Sequence, residues 1–86
     1  MKTYLVTGGA GFIGSNYIHY LFQKYGDDVY VINLDKLTYA GNLENLDDVA
    51  TKKNYRFVRG DICQADVVDP LVKEADVVVN FAAESH

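Results

Sequence analysis

The sequence predicts an α/β protein, a doubly wound parallel sheet of which this chain carries the order β-α-β-β-α-β. Three observations lead there. Apolar, β-branched runs recur at residues 4–7, 29–34, 55–58 and 77–81, and helical spacing appears between the first pair and between the last pair. The first, second and fourth runs are apolar without alternation, as strands covered on both faces are. A glycine cluster ends the first run and opens the first helical stretch.

Each element follows from its residues. Tyr4-Leu5-Val6-Thr7 is a buried strand stopped by Gly8-Gly9. From Phe12 to Tyr25, Ile13, Tyr17 and Leu21 share a helical face with Ile18, Phe22 and Tyr25, opposite Asn16, His19, Gln23 and Lys24. Gly26 stands where a C-cap belongs. Val29 to Leu34 form the second strand, ending at Asp35; residues 36–54 are polar and irregular, with room for a helical turn or two near 43–49. Tyr55 to Val58 form the third strand, ended by Gly60-Asp61. Residues 66–75 fit a short helix whose first turn is expected to take Pro70, where a missing N–H does least harm. Val77 to Phe81 form the fourth strand, apolar on both faces.

Composition narrows the function classes. The 86 residues are 49% hydrophobic and 23% charged, an ordinary globular mixture for at most one domain. A net charge of −4 leaves no basic surplus for nucleic acid or an anionic membrane surface. No apolar run approaches the length of a membrane span. One cysteine, Cys63, makes no internal disulfide, which points to a reducing, cytoplasmic setting. Residues 1–86 are expected to be the N-terminal part of a longer domain, because no helix follows the fourth strand.

Thr7-Gly8-Gly9-Ala10-Gly11-Phe12-Ile13-Gly14 is the most informative segment. It reads both as Gly9-x-Gly11-x-x-Gly14 and as Gly8-x-x-Gly11-x-x-Gly14, with Asp35 lying 21 positions beyond Gly14. A strand before, a helix after and an acid at that distance make the dinucleotide-binding fingerprint. Gly8 turns the strand, Gly11 lets a pyrophosphate approach the backbone, and the Phe12 and Ile13 amides offer donors at a helix N-terminus. Gly14 lets the helix pack close. The plain alternative is a tight βα turn without a ligand.

Asp35 ends the second strand where an adenosine ribose would lie; its carboxylate can accept from the ribose hydroxyls and repel a 2′-phosphate, favouring NAD over NADP. Lys36 complicates this, because a cation tolerates phosphate. Asp61 can accept from the adenine amino group, with Ile62 packing on the ring; Asp61-x-x-Gln64 also resembles a capping box, and both roles can coexist. Phe81-Ala82-Ala83-Glu84-Ser85-His86 follows the fourth strand at the topological switch point, where small Ala82 and Ala83 let a cofactor cross; alanines packed under a helix and a solvated loop explain the segment equally well. Cys63 has no ligand or catalytic partner at useful spacing and is expected to be a small buried hydrophobe; no metal site is expected. His19 is expected to be solvated. Tyr20-x-x-x-Lys24 has a dehydrogenase-like spacing but lies on the first helix, away from the carboxyl edge.

On these motifs the chain resembles the extended short-chain dehydrogenase/reductases, a Rossmann-type family, over its whole length. Val6 to Ser15 is shared across that family; Asp35-Lys36-Leu37-Thr38-Tyr39-Ala40-Gly41-Asn42-Leu43 is similar to the subgroup of dehydratases acting on dTDP-glucose, and Gly60-Asp61-Ile62 and Ala82 to His86 agree. The resemblance implies a tightly held NAD that oxidises the glucose C4 hydroxyl. Loss of the C5 proton with water from C6 and return of the hydride to C6 then give dTDP-4-keto-6-deoxyglucose, a precursor of rhamnose and other deoxysugars. It also implies that Phe12, Ile13, Asp35, Lys36, Leu37, Thr38, Gly41, Asp61, Ile62 and Phe81 to Ser85 line the cofactor, that His86 sits near substrate, and that the whole protein is a homodimer. The family's Tyr-x-x-x-Lys pair and Thr-Asp-Glu set would lie downstream, leaving no catalytic residue in this chain. A UDP-sugar 4-epimerase shares the fold and cofactor, but the segment after Asp35 does not resemble epimerases. A non-catalytic NAD-binding module, or a fragment that binds nothing, are the remaining readings.

Overall fold

A computed structural model describes residues 1–8, 11–36 and 46–81. Four parallel strands, β1 (Lys2–Thr7), β2 (Val29–Asp35), β3 (Tyr55–Arg59) and β4 (Val77–Asn80), form one sheet in the order β3-β2-β1-β4. Helix α1 (Phe12–Tyr25) joins β1 to β2, and α2 (Ala65–Glu74) carries the chain from β3 across to β4. Reversal of direction on either side of β1 is what a doubly wound sheet requires.

Alternation along the strands assigns the two faces. Val6, Val29 and Val31 pack with Ile18, Leu21 and Phe22 of α1 and with Leu46 and Val49 of the following turn. Leu5, Ile32 and Leu34 pack on the other face with Leu71 of α2, flanked by Val58, Val67 and Val68. Strand β2 is buried on both faces through Leu34, which explains its near-continuous apolar run. The Arg56 guanidinium reaches Glu74 at 3.0 Å, tying β3 to α2 at the surface.

Helix α1 has the expected span, and Gly26 closes it with φ +59° and an N–H bonded to Phe22 O at 2.8 Å. Its buried stripe is Gly14, Ser15, Ile18, Leu21 and Phe22, whereas Ile13 is 67% exposed. The expected inward Ile13 is therefore corrected: it stands in the first turn of α1, outside the buried stripe, beside exposed Phe12.

Pro70 is also corrected. Helix α2 begins at Ala65, so Pro70 lies inside it rather than in the first turn. The hydrogen bond it cannot make is the one to the carbonyl of exposed Asp66, which water can satisfy, so the helix absorbs the proline on its solvent side. Cys63 is exposed rather than buried, because it occupies the β3–α2 turn with its N–H bonded to Asp61 Oδ1 at 2.9 Å. His19 is not simply solvated: its Nε2 lies 2.8 Å from Asp48 Oδ1, fastening α1 to the turn that carries Leu46 and Val49. The Tyr20 hydroxyl accepts from Lys24 Nζ at 3.3 Å on an exposed helix face.

Candidate functional site

In a parallel sheet every strand delivers its carboxyl end to the same edge, and here that edge gathers Thr7, Asp35, Arg59 and Asn80. Each is followed at once by residues that the sequence marks for binding: Gly8, Lys36, Gly60-Asp61 and Phe81. The fold thus brings together segments separated by up to 73 positions, as in the Thr7 Oγ1 bond to Asn80 Oδ1 at 2.6 Å.

The turn after β1 is built by backbone geometry. Gly8 has φ +76°, a region that L side chains rarely adopt, and its N–H bonds to Leu34 O at 2.9 Å. Gly11 has an ordinary φ of −74° and donates to Gly8 O at 3.2 Å. Among the described residues, a Cβ built on Gly11 would meet only Gly8 O, at 3.5 Å, an ordinary contact. Nothing described in the protein forbids a small side chain at Gly11, so any need for bare backbone there arises from a group arriving from outside.

That group would meet an open helix end. The N-cap of α1 makes no side-chain capping bond, and the first turn holds no acidic residue. The first-turn amides have no intrahelical partners, and the helix dipole adds partial positive charge. Phe12 is 77% exposed and stands with Ile13 at the rim. Ser15 Oγ turns inward to Phe12 O at 3.0 Å and does not compete for an incoming anion.

Across the edge, Asp35 closes β2 with its carbonyl accepting Gly60 N–H at 3.2 Å. Asp35 and Arg59 are register partners, so both side chains belong to the α1 face. Asp61 is fixed in the β3–α2 turn. Its N–H donates to Gln64 Oε1 at 3.1 Å, its carbonyl accepts Gln64 N–H at 2.9 Å, and its Oδ1 accepts the Cys63 N–H. The Cys63 amide bond, and secondarily nearby Lys36, hold the Asp61 carboxyl below its ordinary range. The capping box is only half made: Gln64 reaches back to Asp61 N–H, but Gln64 itself is the α2 N-cap and the Asp61 carboxylate caps its own turn. Ile62 is at the surface beside it.

Gly60 is favoured by contact rather than by φ. A Cβ there would stand 3.0 Å from Val67 Cγ1 and 3.4 Å from Leu34 Cδ1, tight enough that the valine side chain would have to give by a few tenths of an ångström. Phe81 packs on Tyr17 with ring centroids 5.4 Å apart. Gly14 lies on the buried stripe of α1. Leu37, Thr38, Gly41, Ala82, Ala83, Glu84, Ser85 and His86 lie outside the described residues. Among the described residues no group of three His, Cys, Asp or Glu side chains is placed to hold a metal.

Sequence reading missed Arg59, whose place beside Asp35 depends on register, and Asn33, wholly buried and donating to Tyr55 Oη at 3.1 Å. An asparagine inside an apolar run gives no sign of its partner 22 positions away.

A parallel sheet reversing direction at β1, with a glycine turn running into an open helix N-terminus, defines the N-terminal portion of a Rossmann-type nucleotide-binding fold. The chain belongs to the GDP-mannose 4,6 dehydratase family, whose model matches residues 5–86. It is 57% identical over 82 residues to the low-salt glycan biosynthesis protein Agl12 of Haloferax volcanii, covering 95% of this chain and 26% of that protein. It is 53% identical over 87 residues to the dTDP-glucose 4,6-dehydratase of Streptomyces niveus, covering 95% of this chain and 25% of that enzyme. The crystal structure of the Bacillus anthracis dTDP-glucose 4,6-dehydratase in complex with NAD superposes with a TM-score of 0.89 at 49% identity, over 98% of this chain and 27% of the other. The chain thus spans about a quarter of the length of the proteins it matches.

Proposed function

We propose that this chain is the N-terminal, NAD-holding segment of a nucleotide-sugar dehydratase that converts dTDP-glucose to dTDP-4-keto-6-deoxyglucose. The observation that carries the NAD reading is the uncapped N-terminus of α1 beside Gly11, where a Cβ finds room within the protein but would occupy the path of a pyrophosphate. Bound NAD would supply reversible hydride acceptance from the sugar. The residues of this chain bind and orient: Gly8, Gly11, Phe12, Ile13 and Gly14 at the pyrophosphate, Asp35 and Lys36 at the ribose, Asp61 and Ile62 at the adenine. On the family resemblance alone, Leu37, Thr38, Gly41, Phe81, Ala82, Ala83, Glu84 and Ser85 are also assigned to the cofactor, and His86 to the sugar nucleotide. The groups that move protons in the reaction belong to the remainder of the protein.

The choice of dTDP-glucose rests on the similarity of residues 35–43 to the dTDP-glucose dehydratases and on the relatives from Streptomyces niveus and Bacillus anthracis. A homodimer in the cytoplasm is part of the same reading, supported by the family resemblance and by the lone unpaired Cys63. Among the described residues no helix is long and apolar enough to cross a membrane.

The test uses the complete protein. NAD should be released from it on denaturation, and dTDP-glucose should lose one water to give a 4-keto product by NMR and mass spectrometry. NAD-loaded protein that leaves dTDP-glucose intact while dehydrating GDP-mannose would replace the substrate, and conversion to dTDP-galactose would replace dehydratase by epimerase.

A further inference from the structure

Resting on the dinucleotide reading, a second observation bears on cofactor choice. Lys36 Nζ lies 3.9 Å from Asp61 Oδ2, bridging the carboxyl ends of β2 and β3. The two partners are unequally held. Asp61 is fixed by three hydrogen bonds of its own turn, with Oδ1 already committed to the Cys63 amide and Oδ2 facing Lys36. Lys36 is 57% exposed on a four-carbon stem, with no other ion pair among the described residues. The carboxylate therefore sets where the ammonium rests, and not the reverse.

This matters because Lys36 follows Asp35, the residue placed at the ribose. Asp35 repels a 2′-phosphate, but Lys36 beside it and Arg59 across the register are cations that would attract one. We propose that Asp61 is a specificity-determining residue that draws the Lys36 ammonium over the end of β3, away from the 2′ position, and so lets Asp35 select NAD over NADP.

The variant Asp61→Asn isolates the effect. The amide oxygen still accepts the Cys63 N–H, so the turn is kept, while Lys36 loses its counter-charge. Any weakening at the adenine is common to both dinucleotides and cancels in the ratio of their affinities. Measured by calorimetry on the complete protein stripped of cofactor, the preference for NAD over NADP should fall roughly fivefold, the scale of one exposed charge–charge contact. The fall should shrink at high salt. Adding Lys36→Met to Asp61→Asn should restore the parent ratio, and Lys36→Met alone should leave it unchanged. An unaltered ratio in a folded Asp61→Asn protein that still binds NAD overturns the proposal. So does a marked gain in discrimination from Lys36→Met alone, which would mean that the lysine already serves the phosphate. A parent protein that binds neither dinucleotide overturns the dinucleotide reading itself, a separable outcome.

Discussion

Thr7 Oγ1 donates a 2.6 Å hydrogen bond to Asn80 Oδ1, and the two residues are register partners at the carboxyl ends of β1 and β4. Thr7 is wholly buried, whereas Asn80 is open to solvent. The bond fastens the two strands at the level where direction reverses, beside the Phe81 N–H that donates to Thr7 O at 2.7 Å. Thr7→Val keeps the shape and removes the donor. Because Asn80 can turn to water, the loss should stay near the worth of one ordinary hydrogen bond, about 0.5–1.5 kcal/mol. A shift of the urea midpoint of the complete protein at unchanged slope would show it.

The fold was legible because its signals are local. Near-continuous apolar runs marked β1 and β2, and Gly8 and Gly26 fell where positive φ is needed. Ile13 and His19 depend on what another segment does, whereas Pro70 and Cys63 depend on which side of their own helix or turn meets water. Pro70 is tolerated because Asp66 faces water, and His19 has a partner 29 positions away. At the site, glycines and terminal carboxylates could be read from spacing. The Lys36–Asp61 contact and the Arg59–Asp35 alignment required the β2–β3 register.

Gly11 separates folding from binding. Among the described residues alanine at this position meets only the Gly8 carbonyl, at ordinary distance, so Gly11→Ala should fold with the parent's stability. Gly11→Val carries two methyls into the space above the first-turn amides. It should retain the far-ultraviolet dichroism of the parent while losing NAD by more than tenfold in affinity, since the phosphate can no longer reach the backbone. Equal NAD affinity in both variants and the parent would place the pyrophosphate elsewhere.

The His19–Asp48 contact should leave a mark on the pH dependence of stability. The hydrogen bond from His19 holds the Asp48 carboxyl below its ordinary range. A carboxyl depressed in the folded state stabilises above its unfolded pKa, near 3.9, and loses that contribution as pH falls through the lower folded value. The Asp48 side chain is 70% exposed, so the contact is worth no more than about 0.2–1 kcal/mol after solvent screening. His19→Ala should therefore cost stability by this small amount above the unfolded carboxyl pKa, at about pH 5–6, and by less at about pH 3, where the carboxyl is losing its charge. Asp48→Asn should flatten the same interval. Denaturant titrations at matched ionic strength give the comparison, and a His19→Ala deficit that grows on acidification would contradict it.

The 86-residue chain taken alone should not behave as a stable monomer. Its accessible surface, 5227 Å², is close to the ~5,100 Å² expected of any compact protein of this mass, so the difficulty is not excess surface. The difficulty is which atoms form it. Strands β1 and β2 are covered on both faces, but Val78 of β4 is 50% exposed and Val72 of α2 is also at the surface. Strand β4 pairs only with β1 among the described strands, so a row of backbone N–H and C=O groups lies beside that exposed valine. An exposed apolar edge of this kind recruits other strands, and small domains have little stability to set against it. The chain expressed by itself should associate or bind a hydrophobic dye, and the longer protein should suppress both. Sedimentation with urea unfolding decides the matter: a monomer with a cooperative transition at high urea would show that the half-sheet closes its own core, and that β4 needs no neighbour.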